Sequence, residues 1–197
     1  MIEVEKKLKI TPEQEKNLIA GAKFIEEQRL LNSFYDDSEY SLTKKDLWLR
    51  DRNGHFELKV PIAANHTGQY EELENDEEIK KALNFPETAE LRQELERRGY
   101  SPFYSCLTIR RKYKKEGFTI DLDLTSFNQE TTYEIAEIEL LVNKKEEAEE
   151  AIAKIKKFAA DNGIPYDMAR GKIIEFLKRY KPDHYQVLVN AGVVKDF

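Results

Sequence analysis

Residues 2–10 of the chain read Ile-Glu-Val-Glu-Lys-Lys-Leu-Lys-Ile. Side chains point alternately to the two faces of a β-strand, so Glu3, Glu5 and Lys7 share one face while apolar side chains take most of the other. This alternation predicts a strand that buries one face and keeps charge on the opposite face. Thr11-Pro12 then predicts the start of a helix, because threonine can cap a helix and proline fits its first turn.

Strand-like segments recur along the chain, several of them joined by turn signals such as Asn53-Gly54. They cover residues 29–37, 46–52, 55–61, 68–74, 104–115, 117–124 and 132–142. With the N-terminal strand they make eight strands, which could close a small barrel.

Helical patterns fall in two places along the chain. Residues 77–83 and 88–98 interrupt the strands once, and residues 144–162 and 171–180 predict two helices that finish the chain. This order, without βαβ alternation, predicts an α+β fold. We expect an eight-stranded antiparallel β-barrel with helices packed outside, in a single domain over residues 1–197.

The composition of the chain indicates where the protein is located and which kinds of partner it does not bind. The chain has 197 residues, a net charge of −6 and one cysteine, Cys106, which cannot form an internal disulfide. No segment approaches the roughly 20 apolar residues needed to cross a bilayer. We therefore expect a cytoplasmic monomer that binds neither membrane nor nucleic acid, with Cys106 as a buried structural thiol.

Charge of both signs collects on one face of seven predicted strands. The cationic positions are Lys7, Arg50, Arg52, Lys59 and Arg110, and the anionic positions are Glu3, Glu5, Glu72, Asp121, Asp123, Glu137 and Glu139. Any one such strand would ordinarily be half-buried with a wet face. If the apolar faces pack against helices, however, these charges line the interior of the barrel, and a charged interior implies water, a ligand and a metal.

The chemistry that suits this set of side chains is phosphoryl transfer to water. Arginine and lysine match the oxygens of a polyphosphate, and clustered carboxylates are hard ligands for Mg²⁺, or alternatively Mn²⁺. No glycine-rich phosphate loop occurs in the sequence, so side chains must build the phosphate site. His55, His66 and His184 lack the spacing of a metal motif and are predicted to be surface or turn residues.

The segment Glu3-Val4-Glu5-Lys6-Lys7 fits the ExExK signature of the CYTH family, the triphosphate tunnel metalloenzymes. The resemblance runs from Ile2 to about Tyr185, and in particular the chain is similar to the soluble thiamine triphosphatases of animals. Further matching segments are Phe34-Tyr35-Asp36, Trp48-Leu49-Arg50-Asp51-Arg52, Phe56-Glu57-Leu58-Lys59, Tyr70-Glu71-Glu72-Leu73, the Arg110 strand, Ile120-Asp121-Leu122-Asp123, Glu137-Ile138-Glu139 and Lys172.

This resemblance implies Mg²⁺-dependent hydrolysis of thiamine triphosphate to thiamine diphosphate and phosphate inside an eight-stranded tunnel. It implies triphosphate binding by Lys7, Arg50, Arg52, Lys59, Arg110 and Lys172. It also implies a Mg²⁺ site made by Asp121 or Asp123 with Glu137 and Glu139, with Glu3, Glu5 and Glu72 completing the acidic lining. Trp48, the only tryptophan, takes the position of an aromatic residue that packs against thiamine.

Catalytic roles are expected for Glu5, Glu139 and Tyr35. Tyr35 resembles a family position near the reacting phosphate. Some bacterial relatives that favour inorganic triphosphate carry a catalytic lysine where this chain has Thr108. That departure favours a metal-oriented water assisted by Glu5 or Glu139 as the nucleophile, and it disfavours inorganic triphosphate as the substrate.

The sequence leaves three alternative functions open. An inorganic triphosphatase would share every charged residue but not need Trp48. An adenylyl cyclase would convert ATP without releasing phosphate from it. A non-catalytic polyphosphate-binding module would bind through the same arginines without turnover.

Overall fold

The computed structural model describes residues 2–62, 70–128, 131–165 and 169–194. Eight antiparallel strands form a closed barrel in the order β1-β5-β4-β3-β2-β6-β7-β8, which confirms the predicted fold class. The strands are β1 (Ile2–Leu8), β2 (Lys23–Asp36), β3 (Trp48–Arg52), β4 (His55–Pro61), β5 (Tyr70–Leu73), β6 (Ser101–Lys115), β7 (Phe118–Ser126) and β8 (Thr132–Val142).

Six α-helices accompany the strands within the described ranges. They are α1 (Pro12–Ile19), α2 (Asp76–Ala82), α3 (Leu91–Arg97), α4 (Ala148–Asp161), α5 (Lys172–Tyr180) and α6 (Pro182–Asn190). The predicted cap of α1 is present, since the Thr11 side chain accepts from the Gln14 backbone N–H. None of these helices combines the length and apolar character that crossing a bilayer demands.

The structure differs from the prediction at several element boundaries, such as the end of β1 at Leu8 rather than residue 10 and the start of β6 at Ser101 rather than residue 104. Among the described residues, three α-helices rather than two follow the last strand, because Pro182 opens α6, a position where proline's missing N–H is not needed. Strand β2 begins at Lys23 rather than at residue 29, since hydrogen bonding in the sheet orders a segment whose side chains are mostly exposed. Predicted residues 68 and 69 of the fifth strand lie outside the described ranges.

The chain forms two compact units, which we describe separately. Unit 1 comprises residues 1–30 and 107–175, and unit 2 comprises residues 31–106 and 176–197. In unit 1 the apolar faces of β1, β7 and β8 pack with α4. Their buried side chains include Val4, Leu8, Ile120, Leu122, Ala136, Ile138, Ala151, Ile155 and Phe158. The single domain over residues 1–197 stays a prediction.

The apolar core of unit 2 joins β3 and β4 to α2 and α3. Its buried side chains are Leu42, Leu49, Phe56, Leu58, Ile79, Phe85, Leu91 and Leu95. Burying a leucine of this kind contributes about 1.5–3 kcal/mol, so these helices are held by their apolar faces. Cys106 is also buried in unit 2, as predicted.

His184 on α6 is not a surface residue, which corrects the prediction. Its side chain is buried and stacks on Tyr40 at 3.9 Å between ring centroids. Its Nε2 lies 2.8 Å from Thr43 Oγ1, and Thr43 Oγ1 donates to Asp36 Oδ2 at 2.7 Å. Since the hydroxyl hydrogen is used on Asp36, the ring nitrogen must donate, and His184 therefore links α6 to the turn at residues 43–45. His66 lies outside the described residues.

Acidification from pH 7 to pH 5 is expected to destabilise the protein by about 2 kcal/mol through His184. Burial, and then the nearby charge of Lys181, lower the pKa of His184 from 6.5 to about 4. Between these pH values the unfolded chain binds a proton that the folded chain excludes, so the free energy of unfolding falls as pH falls.

Urea unfolding at both pH values would measure this effect in wild type and His184→Gln. The glutamine variant should lose about 2 kcal/mol less than wild type on acidification, whereas His55→Gln, at an exposed position, should behave like wild type. Equal losses in wild type and His184→Gln would contradict the assignment.

Candidate active site

Unit 1 gathers its charged side chains on the strand face opposite the one that packs with α4. In the antiparallel register Glu5 lies opposite Glu139 across β1 and β8, and Glu137 lies between Lys7 and Asp121. Arg110 on β6 lies opposite Asp123. Residues directly opposite in a sheet project to the same face, so alternation along four strands places these groups together.

Arg110 is the centre of this face. Its Nε and Nη2 donate to the two carboxylate oxygens of Asp123 at 2.6 and 2.7 Å, Nη1 donates to Asp121 Oδ2 at 2.6 Å, and Nη2 donates to Glu137 Oε2 at 2.7 Å. Burial alone would lower the pKa of Arg110, but the carboxylates of Glu137, Asp123 and Asp121 raise it well above its ordinary value. The guanidinium is therefore a fixed positive charge that holds three carboxylates.

Asp121 and Asp123 have different environments, although the sequence leaves them equivalent. Asp123 is saturated with cationic donors, because Lys172 Nζ also donates to its Oδ2 at 2.7 Å. Burial raises the pKa of Asp123, but Lys172 and Arg110 outweigh burial and lower it. Asp121 Oδ2 accepts from Arg110 and from Lys112 Nζ at 2.8 Å, while its buried Oδ1 has no hydrogen-bond partner in the part of the chain that the structure describes.

Asp121, whose Oδ1 is unsatisfied among the described residues, belongs to a group of carboxylates that could hold a metal ion. Oxygens of Asp121, Glu137 and Glu139 lie within 4.8 Å of one another, and Glu139 also belongs to a second such group with Glu3 and Glu5. Burial, and then the charges of Glu3, Asp121 and Glu137, raise the pKa of Glu139 to about 9. An unsatisfied buried oxygen among crowded carboxylates fits a hard divalent cation such as Mg²⁺.

Lysines flank this carboxylate group. Lys7 Nζ donates to Glu5 and lies 3.6 Å from Glu137 Oε1. Burial alone would lower the pKa of Lys7, and the two glutamates raise it instead. Sequence reasoning missed Lys112, which pairs with Asp121. Extending the alternation of the strand by two residues beyond Arg110 would have found it.

Unit 2 carries a second charged face, built by arginines and glutamates. Arg50 pairs with Glu57 and with Glu72, and Lys59 Nζ lies 3.8 Å from Glu72 Oε2. Burial raises the pKa of Glu72, but Lys59, Arg50 and then Arg52 outweigh it and lower the pKa. Glu72 is absent from both carboxylate groups found among the described residues and pairs with these cations, and its predicted place in the acidic lining of the metal site stays a prediction.

The remaining basic residue of this face is Arg52. Its Nε donates to the buried Asn32 Oδ1 at 3.1 Å, and its Nη1 lies 3.4 Å from Glu57 Oε2. The structure thus brings Arg50, Arg52 and Lys59 together, as alternation predicts. That both charged faces line one interior stays a prediction.

Trp48 shares the strand face of Arg50 and lies opposite Lys59 in the register of β3 and β4. The side chain is 8% exposed, and its Nε1 donates to Asp46 Oδ1 at 2.8 Å. Tyr70 Oη donates to the same oxygen at 2.9 Å. The indole is therefore held at its nitrogen, and only a limited part of the ring surface is open.

Tyr35 lies on the strand face opposite to that of Phe34 and away from Arg50, and its catalytic role stays a prediction. It is opposite Leu49 in the register, and its ring meets that of Phe56 edge-on at 5.4 Å between centroids. The core of unit 2 and Arg92 surround it. The matching family segment identified the strand correctly, but side-chain alternation directs Tyr35 to the apolar side and Phe34 to the side of Arg50.

Comparison with known proteins gives relatives over the whole length of the chain. Human thiamine-triphosphatase is 29% identical over 98% of this chain and 91% of its own length. A protein of Pyrococcus horikoshii has the same fold, with a TM-score of 0.63 and 23% identity over 90% of this chain and 98% of its own.

A further solved structure is that of a putative adenylyl cyclase from Hippeastrum, described as having a dominant triphosphatase activity. It shares the fold with a TM-score of 0.58 and 19% identity, over 90% of this chain and 95% of its own. The family model of the CYTH domain matches residues 1–168, which include both charged faces except for Lys172. On this match, the chain belongs to the CYTH domain family.

Proposed function

We propose that the protein hydrolyses thiamine triphosphate to thiamine diphosphate and phosphate with the help of Mg²⁺. The observation that carries the hydrolytic part is Asp121, which is grouped with Glu137 and Glu139. Its Oδ1 is unsatisfied among the described residues, while Arg110 and Lys112 donate to its Oδ2. A metal site next to fixed cations suits phosphoryl transfer, which depends mainly on positioning and on charge neutralisation.

Asp121, Glu137 and Glu139 would hold the metal, with Glu3 and Glu5 in the adjoining group. Bound there, Mg²⁺ would offset the charge of the phosphates and lower the pKa of a coordinated water. Asp123 is proposed to act differently, since Arg110 and Lys172 already occupy its oxygens. Its role would be to orient these two cations.

The cations of unit 1 are proposed to bind the phosphates by changing partners. Arg110, Lys7 and Lys172 all donate to carboxylates in the structure. Neutralising those carboxylates makes the same donors available to phosphate oxygens, which guanidinium and ammonium groups bind well. Substrate binding should therefore depend on the divalent ion. Arg50, Arg52 and Lys59 remain proposed triphosphate-binding residues.

Two glutamates are proposed to assist the attacking water. Glu5 and Glu139 lie opposite one another across β1 and β8. Either carboxylate could accept the proton of the water, Glu139 only once a bound cation offsets the effects of burial and of the neighbouring carboxylate charges, which raise its pKa. Thr108 Oγ1 lies 2.9 Å from Thr125 Oγ1, so this chain offers a hydroxyl pair where some relatives carry a catalytic lysine.

The thiamine assignment is supported by the human relative and by the position of Trp48. Trp48 lies two residues from Arg50 on the same strand face, so a cationic thiamine ring near the indole would leave its phosphates within reach of the arginine. A small-molecule triphosphate is thus the proposed partner. A monomeric state and a cytoplasmic location remain predictions of the sequence.

Phosphate release from thiamine triphosphate, inorganic triphosphate and ATP, each with Mg²⁺ or with a chelator, would test the proposal. We expect Mg²⁺-dependent release with a preference for thiamine triphosphate, and an inactive Glu139→Gln variant. A preference for inorganic triphosphate would overturn the thiamine assignment, and a cyclic product from ATP would indicate a cyclase. Binding without turnover would indicate a polyphosphate-binding module.

Trp48→Ala is expected to lower the preference for thiamine triphosphate over inorganic triphosphate, as the ratio of kcat/KM values, by about tenfold. This factor corresponds to ~1.4 kcal/mol, within the range of a partly desolvated cation–π contact. Trp48→Phe, which keeps an aromatic face, is the matched control and should retain most of the preference. An unchanged ratio in Trp48→Ala would show that the indole does not contact the substrate.

A further inference from the structure

Asp46 is the residue whose carboxylate binds the indole nitrogen of Trp48. Its side chain is buried, and one oxygen, Oδ1, accepts from both Trp48 Nε1 at 2.8 Å and Tyr70 Oη at 2.9 Å. Trp48 belongs to β3 and Tyr70 to β5, the two neighbours of β4 in the barrel. A single carboxylate therefore fixes the polar ends of two aromatic side chains from different strands.

The backbone that presents this carboxylate is itself firmly held. Asp46 has a φ of 61°, in the left-handed region that most side chains avoid, at the end of the turn formed by residues 43–45. The carboxylate of Asp36 accepts from the backbone N–H groups of Leu42 and Thr43 and from the Thr43 hydroxyl. His184 adds its contact to the same hydroxyl. The turn is thus organised before any ligand binds.

A fixed indole has a chemical consequence for substrate choice. An aromatic ring attracts a cation through its face, so the orientation of the ring decides whether a cationic heterocycle can stack on it. A side chain already held in the bound orientation loses less conformational freedom when the ligand arrives. Inorganic triphosphate has no ring and gains nothing from this orientation.

We propose that Asp46 is a positioning residue that holds the Trp48 ring and thereby sets the preference for a triphosphate bearing a cationic heterocycle. The inference rests on the proposed function and extends it to a residue outside both charged clusters. Asp46 acts through Trp48 and Tyr70 and takes no part in the phosphoryl transfer itself.

Asp46→Gly and Asp46→Asn provide the test. Glycine removes the carboxylate and accepts a positive φ without strain, and asparagine keeps an oxygen acceptor and also tolerates that backbone. Tyr70→Phe, which removes only one of the two donors, is the matched control. Trp48 is the only tryptophan of the chain, so intrinsic fluorescence and its quenching by acrylamide report on this ring alone.

We expect Asp46→Gly to lower the ratio of kcat/KM for thiamine triphosphate to that for inorganic triphosphate at least fivefold, and to increase quenching of Trp48 at least twofold. In Asp46→Asn, which keeps an oxygen acceptor, both the ratio of kcat/KM values and the quenching of Trp48 should stay within about twofold of wild type. A structural role alone would slow both substrates equally and leave the ratio unchanged, which would overturn the inference.

The substrate preference of the wild-type protein distinguishes failure of the proposed function from failure of the role inferred for Asp46. If wild type prefers inorganic triphosphate, the proposed function fails and the inferred selectivity fails with it. If wild type prefers thiamine triphosphate while Asp46→Gly keeps both the preference and the quenching of wild type, only the role of Asp46 is overturned. If Asp46→Gly does not fold, the double variant Asp46→Asn with Tyr70→Phe replaces it, because this variant weakens the contacts that hold the Trp48 ring. We expect the double variant to lower the ratio of kcat/KM for thiamine triphosphate to that for inorganic triphosphate at least twofold. An unchanged ratio would overturn the inference.

Discussion

Asp121→Asn is expected to lower Mg²⁺-dependent phosphate release by about 10²–10³-fold, the range seen when one group that stabilises the transition state is removed. The substitution keeps the volume of the side chain but removes the charge that would bind the metal through Oδ1. Mg²⁺ should also stop stabilising the variant against heat, because a ligand that binds the folded state raises the free energy of unfolding. Release assays and thermal unfolding with and without Mg²⁺ measure both effects.

Asp123→Asn is the matched control for this prediction. Its carboxylate lies two residues away on the same strand face, but its oxygens are bound to Arg110 and Lys172. We expect Asp123→Asn to be less stable than wild type and still to respond to Mg²⁺ in thermal unfolding. If Asp123→Asn loses the Mg²⁺ response and Asp121→Asn keeps it, the metal ligands have been assigned the wrong way round.

Arg110→Met is expected to lower the free energy of unfolding by about 3–5 kcal/mol, the loss typical of removing one partner from a buried ion pair. Methionine fills similar space with no charge, so Asp121, Asp123 and Glu137 would lose the cation that all three share. Uncompensated buried carboxylates are the physical cause of the loss. Urea unfolding measures it without requiring any activity.

Arg111→Met tests whether the position of the charge matters more than its presence. The Arg111 side chain is 39% exposed and makes one ion pair with Glu15 at 2.9 Å. An exposed pair of this kind contributes about 0–1 kcal/mol. Similar losses in Arg110→Met and Arg111→Met would contradict the central role of Arg110.

Alternation along the strands was enough to predict much of this arrangement. The two-residue period placed Glu5 and Lys7 on one face of β1, and it placed Trp48 with Arg50 on one face of β3. The same rule could have found Lys112, and it could have placed Tyr35 on the strand face opposite to that of Phe34 and Arg50. The terminal helices were harder to predict, since Pro182 can end one helix or open the next.

The fold class, the family and the charged faces follow from the sequence alone, because strand periodicity and the order of the elements are local properties of the chain. The pairing of the charges, in contrast, depends on how the chain folds. Asp121 and Asp123 are chemically alike, and they differ because Lys172, far away in the sequence, reaches Asp123 while Asp121 keeps an unsatisfied oxygen. Asp46 likewise meets Tyr70 only through folding. Hydrogen-bond partners depend on distances of a few ångströms between remote segments, and no pattern of residue types along the chain specifies them.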